Sequence, residues 1–205
     1  MSDVKCLDVN RQMLDKLLSL DRSVFLGLNG LHTSWLDPLM YWASNALVWL
    51  PLFVVLTGLV VRTFRWRTIT ILVAVACMIT ISDQLSTLVK NDTKRLRPSH
   101  EPALAARVHI VKEYSGGEFS YYSAHASNTF ALAVFLIVLF RKRYRYLYLL
   151  LTCWAALMTY TRIYLGVHYP LDVLSGIIIG CLLGWFTGHV TLYVLSLQGE
   201  KINAV

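Results

Sequence analysis

Residues Val173–Gly199 read VLSGIIIGCLLGWFTGHVTLYVLSLQG, 27 positions without an Asp, Glu, Lys or Arg. About 20 apolar residues in a helix cover the hydrocarbon core of a bilayer, so this run reads as a membrane span. Further runs precede it. Pro38–Val61 is charge-free over 24 residues and Phe119–Phe140 over 22. Thr68–Val89 is broken only by Asp83, and Tyr146–Thr161 is 16 residues long between Arg145 and Arg162. The pattern predicts an all-α integral membrane protein. It is a bundle of about five transmembrane helices, the fourth short at one end, preceded by an N-terminal amphipathic or short spanning helix.

Composition agrees. Of 205 residues, 56% are hydrophobic and 15% charged, whereas soluble domains carry roughly 25% charged residues. Nineteen Lys and Arg against 12 Asp and Glu give a formal charge of +7. A nucleic-acid-binding domain spreads such an excess over a soluble face. Here the bases are confined between apolar runs, so no nucleic-acid partner is expected. The first 22 residues hold four basic and four acidic side chains and no apolar core, so a secretory leader is not expected there. Asp8–Asn29 places Leu14, Leu17, Leu18, Phe25 and Leu28 at helical spacing, suited to the membrane surface. The four cysteines form no CxxC or metal-ligand spacing. The expected layout is an entry segment (1–36), a membrane bundle (37–197) with one outer loop (91–118), and a tail (198–205).

The connectors set orientation. Arg62, Arg65 and Arg67 lie between the first two spans, and Arg141, Lys142, Arg143 and Arg145 between the third and fourth. The positive-inside rule puts both in the cytoplasm. The outer face then gathers the end of span two (Lys90 to Pro98), the start of span three (Tyr122 to His125), the end of span four (Thr161-Arg162) and the start of span five (His168 to Asp172). Alternating direction makes these four clusters share one face whichever way the chain inserts.

Such a convergence suits a phosphate group. Lys90, Arg97 and Arg162 supply cations, and guanidinium forks match phosphate oxygens. Helix starts at spans three and five add anion affinity. Arg97 precedes Pro98, which biases it toward extended backbone in a loop folding back over the site. His168 has Asp172 four residues on. A carboxylate there can accept the Nδ1 proton and leave Nε2 free to attack. His125 has no local carboxylate and is the better general acid for a leaving oxygen.

These residues resemble the signature of the type 2 phosphatidic acid phosphatases, K-x6-RP, PSGH and SR-x5-H-x3-D. The chain reads Lys90-x6-Arg97-Pro98, Tyr122-Ser123-Ala124-His125 and Thr161-Arg162-x5-His168-x3-Asp172, and the likeness spans residues 68 to about 195. It implies an acid-phosphatase-like core without metal or other cofactor. It also implies His168 as nucleophile, Asp172 as its orienter, His125 as acid, and Lys90, Arg97, Ser123 and Arg162 as phosphate ligands. Tyr122, Ala124 and Thr161 depart from the pattern at Pro, Gly and Ser, changes expected to tune the substrate. Thr161 keeps a hydroxyl behind the site, and Asp83, seven residues before Lys90 and on nearly the same helix face, reads either as a partner for a site base or as part of a polar span end with Ser82, Gln84 and Ser86.

Lys94, Arg95, Arg107 and Lys112 read as solvated loop charges, with contact of one of them to a second phosphate or a sugar headgroup as the alternative, and His32, His100, His109 and His189 read as surface or packing histidines. The function expected is a lipid phosphatase of the bacterial inner membrane, its site facing the periplasm or outside and its substrate entering from the bilayer. Undecaprenyl diphosphate is the first choice of substrate. Lipid A comes next, then phosphatidylglycerophosphate and phosphatidic acid. Lipid phosphotransfer and non-enzymatic binding or transport of anionic lipid are the alternatives.

Overall fold

The computed structural model describes residues 2–104, 106–140 and 144–198. The expected tail beyond residue 198 and the bases Arg141, Lys142 and Arg143 lie outside the described residues. Among the described residues there are seven α-helices: α1 (Ser2–Asn29), α2 (Leu36–Ala43), α3 (Leu50–Phe64), α4 (Thr68–Thr93), α5 (Ala124–Phe140), α6 (Arg145–Tyr164) and α7 (Pro170–Leu197). Strand-like pairing among them is limited to one antiparallel bridge, Leu96 with Phe119.

The last helix, α7, is inside out relative to a helix of a water-soluble bundle. On α7 the buried positions include Gly176, Gly180, Gly184 and Gly188, while Leu182, Trp185, Phe186 and Tyr193 are exposed. A continuous exposed apolar surface is unstable in water and at home in lipid. The stretch Ala46–Thr93, which holds α3 and α4, and α7 itself are long and apolar enough to cross a membrane. The protein is an integral membrane helical bundle.

The α7 glycines recur every fourth residue and let two backbones meet. A Cβ at position 180 would lie 2.3 Å from the Ser127 carbonyl oxygen, and one at position 184 would lie 2.3 Å from that of Ala131. In lipid, where apolar burial between helices drives little, small residues that permit such close approach hold helices together. The α5–α7 seam therefore fixes the starts of both helices relative to each other. The Ser123 N–H donates to the Asp172 carbonyl at 3.0 Å at the top of the seam.

The charge-free run Pro38–Val61 does not form one helix. α2 ends at Ala43, Asn45 turns extended (φ −87°, ψ 122°), and its side chain accepts the Leu47 N–H at 2.9 Å to start a 3₁₀ turn, Ala46–Trp49, that feeds α3. Asn side chains compete with helical backbone bonding in this way, and an absence of charge does not reveal it. At the other end of the membrane, Arg65 (φ 53°) reverses the chain between α3 and α4. α4 runs on to Thr93, so the outer loop begins at Lys94, in left-handed conformation (φ 47°), and not at residue 91. α6 carries through Arg162 to Tyr164.

α1 packs across the rim above α6 and α7. Phe25, fully buried, meets the Tyr169 ring edge-on at 5.4 Å. Asn29 donates to the carbonyls of Ile163 (3.2 Å) and Tyr164 (2.8 Å), satisfying the end of α6.

Candidate active site

The four clusters meet at one face. Lys90 closes α4, His125 sits in the first turn of α5, Arg162 in the last turn of α6 and Asp172 in the first turn of α7. His168 lies in the link between α6 and α7, where its N–H and that of Val167 donate back to the Arg162 carbonyl at 3.3 and 3.1 Å. That wrap sets the imidazole over the guanidinium's own helix end. Pro170 occupies the first turn of α7, where a missing N–H costs nothing.

Arg162 is 1% exposed. Among the described residues no carboxylate pairs with it. The Thr161 hydroxyl oxygen accepts from its Nε (3.2 Å) and Nη2 (3.1 Å), the Tyr114 hydroxyl from Nη1 (3.4 Å), and the Ser44 carbonyl from Nη2 (3.4 Å). Removing a guanidinium from water without a counter-charge is costly, so the site is poised for an anion. Arg97 approaches from the loop. Its backbone is extended (φ −69°, ψ 155°) ahead of Pro98, as that proline dictates. Its Nε donates to the Phe119 carbonyl at 3.1 Å. Its Nη1 would lie 2.1 Å from a Cβ at position 116, where Gly116 has φ +66°; only glycine makes that bed. Burial pushes the Arg97 guanidinium down from its ordinary value, the Tyr114 hydroxyl opposes that, and Arg162 adds to it.

His125 feels the charges of Arg162, His168, Lys90 and Arg97 together. Ser123 is fully buried at the start of α5, whose first N–H groups lack helical partners. Three cations, two imidazoles, a serine and a helix start thus form a cup that can hold a phosphate and stabilise charge on its oxygens.

Asp172 is fully buried and multiply engaged. Its Oδ2 accepts the Tyr169 N–H at 2.9 Å, capping α7, and lies 3.6 Å from His168 Nδ1. At that separation no hydrogen bond is made, and His168 Nδ1 is buried without a partner. Its Oδ1 accepts from Arg95 Nη1 at 2.6 Å. Arg95 Nη2 reaches Asp21 Oδ2 on α1 at 2.5 Å, and Asp21 Oδ1 takes the Leu171 N–H at 2.9 Å. The Arg95 guanidinium also lies 4.1 Å over the Tyr169 ring. Burial pushes the His168 imidazole down to about 4; the Asp172 carboxylate opposes the shift, while Arg97 and Lys90 add to it.

Below the cup opens a cavity of about 690 Å³. Lys90, Arg97 and His125 stand at its polar mouth, and apolar side chains such as Phe53, Leu56 and Ile71 line its walls. A lining that combines charged and apolar side chains suits an amphiphile.

The structure brings Lys90, Arg97, Ser123, His125, Arg162, His168 and Asp172 to one face, with Thr161 aligning Arg162. Asp83 accepts from Asn128 Nδ2 at 2.8 Å on the cavity wall, and its carboxylate also acts electrostatically on Lys90, which lines the same cavity. Arg95, expected to be a solvated loop charge, is instead the cation bridging two buried carboxylates. Asp21 and Tyr114 are further site residues that the pattern does not disclose, because their partners lie 74 and 48 residues away.

A family model of the PAP2 superfamily matches residues 71–195, from mid-α4 through α7. A lipid A 4'-phosphatase of Bacteroides thetaiotaomicron is 38% identical over 176 residues, 84% of this chain and 77% of that protein. Another, from Porphyromonas gingivalis, is 34% identical over 187 residues, 89% of this chain and 78% of that one. The fold is similar to the crystal structure of a transmembrane PAP2 type phosphatidylglycerolphosphate phosphatase from Bacillus subtilis (TM-score 0.66, 21% identity, 92% of this chain and 90% of that one). It is also similar to that of Aquifex aeolicus LpxE (TM-score 0.58, 23% identity, 85% and 95%).

Proposed function

The chain belongs to the PAP2 superfamily and is a metal-independent membrane lipid phosphatase, and from that premise we propose that its substrate is lipid A and that it removes the 4'-phosphate. The observation that carries the catalytic reading is the buried Arg162 guanidinium, without a carboxylate partner among the described residues, on the same face as His168 and as Lys90, Arg97 and His125, which line a largely apolar cavity. The choice of lipid A rests on the two relatives of that name, which cover most of the chain. They move undecaprenyl diphosphate, the first choice on sequence, to second place.

The phosphate sits among Lys90, Arg97, Arg162, Ser123 and the first N–H groups of α5. His168 Nε2 attacks phosphorus, forming the N–P bond as the bond to the sugar oxygen breaks. His125 gives its proton to that oxygen. As charge builds on His168, Asp172 Oδ2 closes its 3.6 Å gap to Nδ1 and takes up the hydrogen bond; such contacts are often long before substrate binds. His125, now neutral, takes a proton from water, which attacks phosphorus and releases inorganic phosphate and free His168. The lipid enters sideways, acyl chains in the cavity, with the site facing the periplasm of a bacterial inner membrane.

Phosphate release from purified lipid A, undecaprenyl diphosphate and phosphatidylglycerophosphate in detergent tests this. Lipid A is expected to lose its 4'-phosphate fastest, by mass spectrometry of the product. Faster turnover of undecaprenyl diphosphate refutes the substrate, and unchanged phosphate release by His168→Ala refutes the mechanism.

A further inference from the structure

We propose that His32, Asp37 and His109 form a divalent metal site, separate from the reacting centre, that takes a zinc-type ion and pins the outer loop to the N-terminal helices. His32 lies in the link between α1 and α2, Asp37 in the first turn of α2, and His109 in the loop that carries Arg97 and Tyr114. One ligand atom of each lies within 4.8 Å of the other two. His109 Nε2 faces Asp37 Oδ1 at 2.9 Å, and the His32 ring stacks on that of His109 with centroids 3.6 Å apart and planes 4° from parallel.

An ion pair between Asp37 and His109 needs no second histidine. The parallel placement of His32 in the same corner is what a three-ligand site adds. Two imidazole nitrogens and one carboxylate oxygen suit zinc and its late first-row neighbours, whereas calcium and magnesium favour all-oxygen sites. A tetrahedral zinc with bonds near 2.0–2.1 Å sets its ligand atoms about 3.3 Å apart. To reach that spacing the Asp37–His109 pair, now 2.9 Å apart, opens slightly, and His32, which is exposed, turns out of its stack on His109 and swings in.

The other two ligands are already held. The Tyr164 hydroxyl donates to Asp37 Oδ1 at 2.7 Å, the kind of outer contact that orients metal-bound carboxylates. The His109 N–H donates to Asn29 Oδ1 at 2.7 Å, and its carbonyl accepts from Asn29 Nδ2 at 3.1 Å. Asp37 and His109 are each about a fifth exposed, which leaves an entry path and room for a water as fourth ligand. The bound ion ties α2, the α1–α2 link and the loop together next to the end of α6. Phosphoryl transfer does not pass through it.

The test uses full-length protein in detergent, tag removed, stripped with chelator and dialysed. Zinc is titrated by calorimetry and its content measured after desalting. The wild type is expected to retain one zinc per chain and to unfold at a higher temperature with zinc than without. His32→Ala, on an exposed side chain, is expected to weaken binding by about tenfold or more and to abolish the thermal shift. His32→Ala with His109→Ala is expected to retain no zinc. Cobalt in place of zinc is expected to show the visible absorption of a four-coordinate ion in the wild type alone. Wild type that keeps no zinc overturns the proposal. So does zinc binding of unchanged affinity in His32→Ala, which would place the ion on other histidines. The readout is metal content, so the outcome is independent of which lipid is cleaved.

Discussion

Replacing Arg95 with Met tests whether the bridge to α1 serves both fold and chemistry. Met keeps an apolar stem over Tyr169 but removes the cation between Asp172 and Asp21, whose side chains are 0% and 1% exposed. Breaking a buried ion pair by deleting one partner costs about 3–5 kcal/mol, because the other charge is left uncompensated. The lost stacking on Tyr169 adds about 1 kcal/mol. For a chain of this size, that corresponds to a fall in Tm on the order of 10 °C. Two carboxylates are stranded here, so Asp21→Asn should rescue part of the loss: it removes one of the facing charges while its amide oxygen still accepts the Leu171 N–H. Thermal unfolding of wild type, Arg95→Met, Asp21→Asn and the double variant in detergent gives the cycle. Arg95 touches Asp172 and not the phosphate cup, so kcat should fall on the order of 10²-fold with KM nearly unchanged. Wild-type stability and kcat in Arg95→Met would refute the reasoning, as would a double variant whose loss is the sum of the two single losses.

His168→Ala and His125→Ala should each lower phosphate release from lipid substrate by at least about 10³-fold in single-turnover assays, with the thermal transition retained. His168 attacks as the neutral imidazole, and burial pushes it down to about 4, so that group imposes its acid limb on kcat/KM only as pH falls through about 4. In the unfolded chain the same imidazole titrates near 6.5. The unfolded state therefore binds more protons between pH 6.5 and 4, so stability rises with pH across that window and is lost on acidification, by about 3 kcal/mol from this group. Unfolding temperatures measured at pH 7 and pH 5 check the sign. Gly180→Val drives a side chain into the Ser127 carbonyl and should abolish the folded species on size-exclusion chromatography, whereas Gly27→Ala, with open space around it, should not. Phosphatase activity should survive EDTA and be inhibited by vanadate, whose trigonal-bipyramidal form mimics the transferring phosphoryl group; activity that needs an added divalent ion contradicts this.

Charge-free runs disclosed the helices because a bilayer imposes a length and a composition that a single sequence carries openly. The phosphate cup was legible for a related reason: its members flank helix ends, so alternating direction alone sends Lys90, His125, Arg162 and Asp172 to one face. What escaped is long-range or sterically subtle. Arg95 looked like any loop base, since its partners are Asp172 and Asp21 and nothing local marks them. The break at Asn45 depends on a side chain competing with its own backbone. The fourfold spacing of Gly176, Gly180, Gly184 and Gly188 was present in the sequence. Its meaning, however, lies in what faces it, the carbonyls of Ser127 and Ala131 on α5.

The cavity and the glycine seam lie on different sides of α5, and this has an evolutionary corollary. Walls contributed by α3 and α4, such as Phe53, Leu56 and Ile71, can be enlarged or narrowed without touching the backbone contact that registers the two imidazoles. Acyl length and bond cleavage are thus separately adjustable traits, and descendants of this scaffold could change diet while keeping the same teeth.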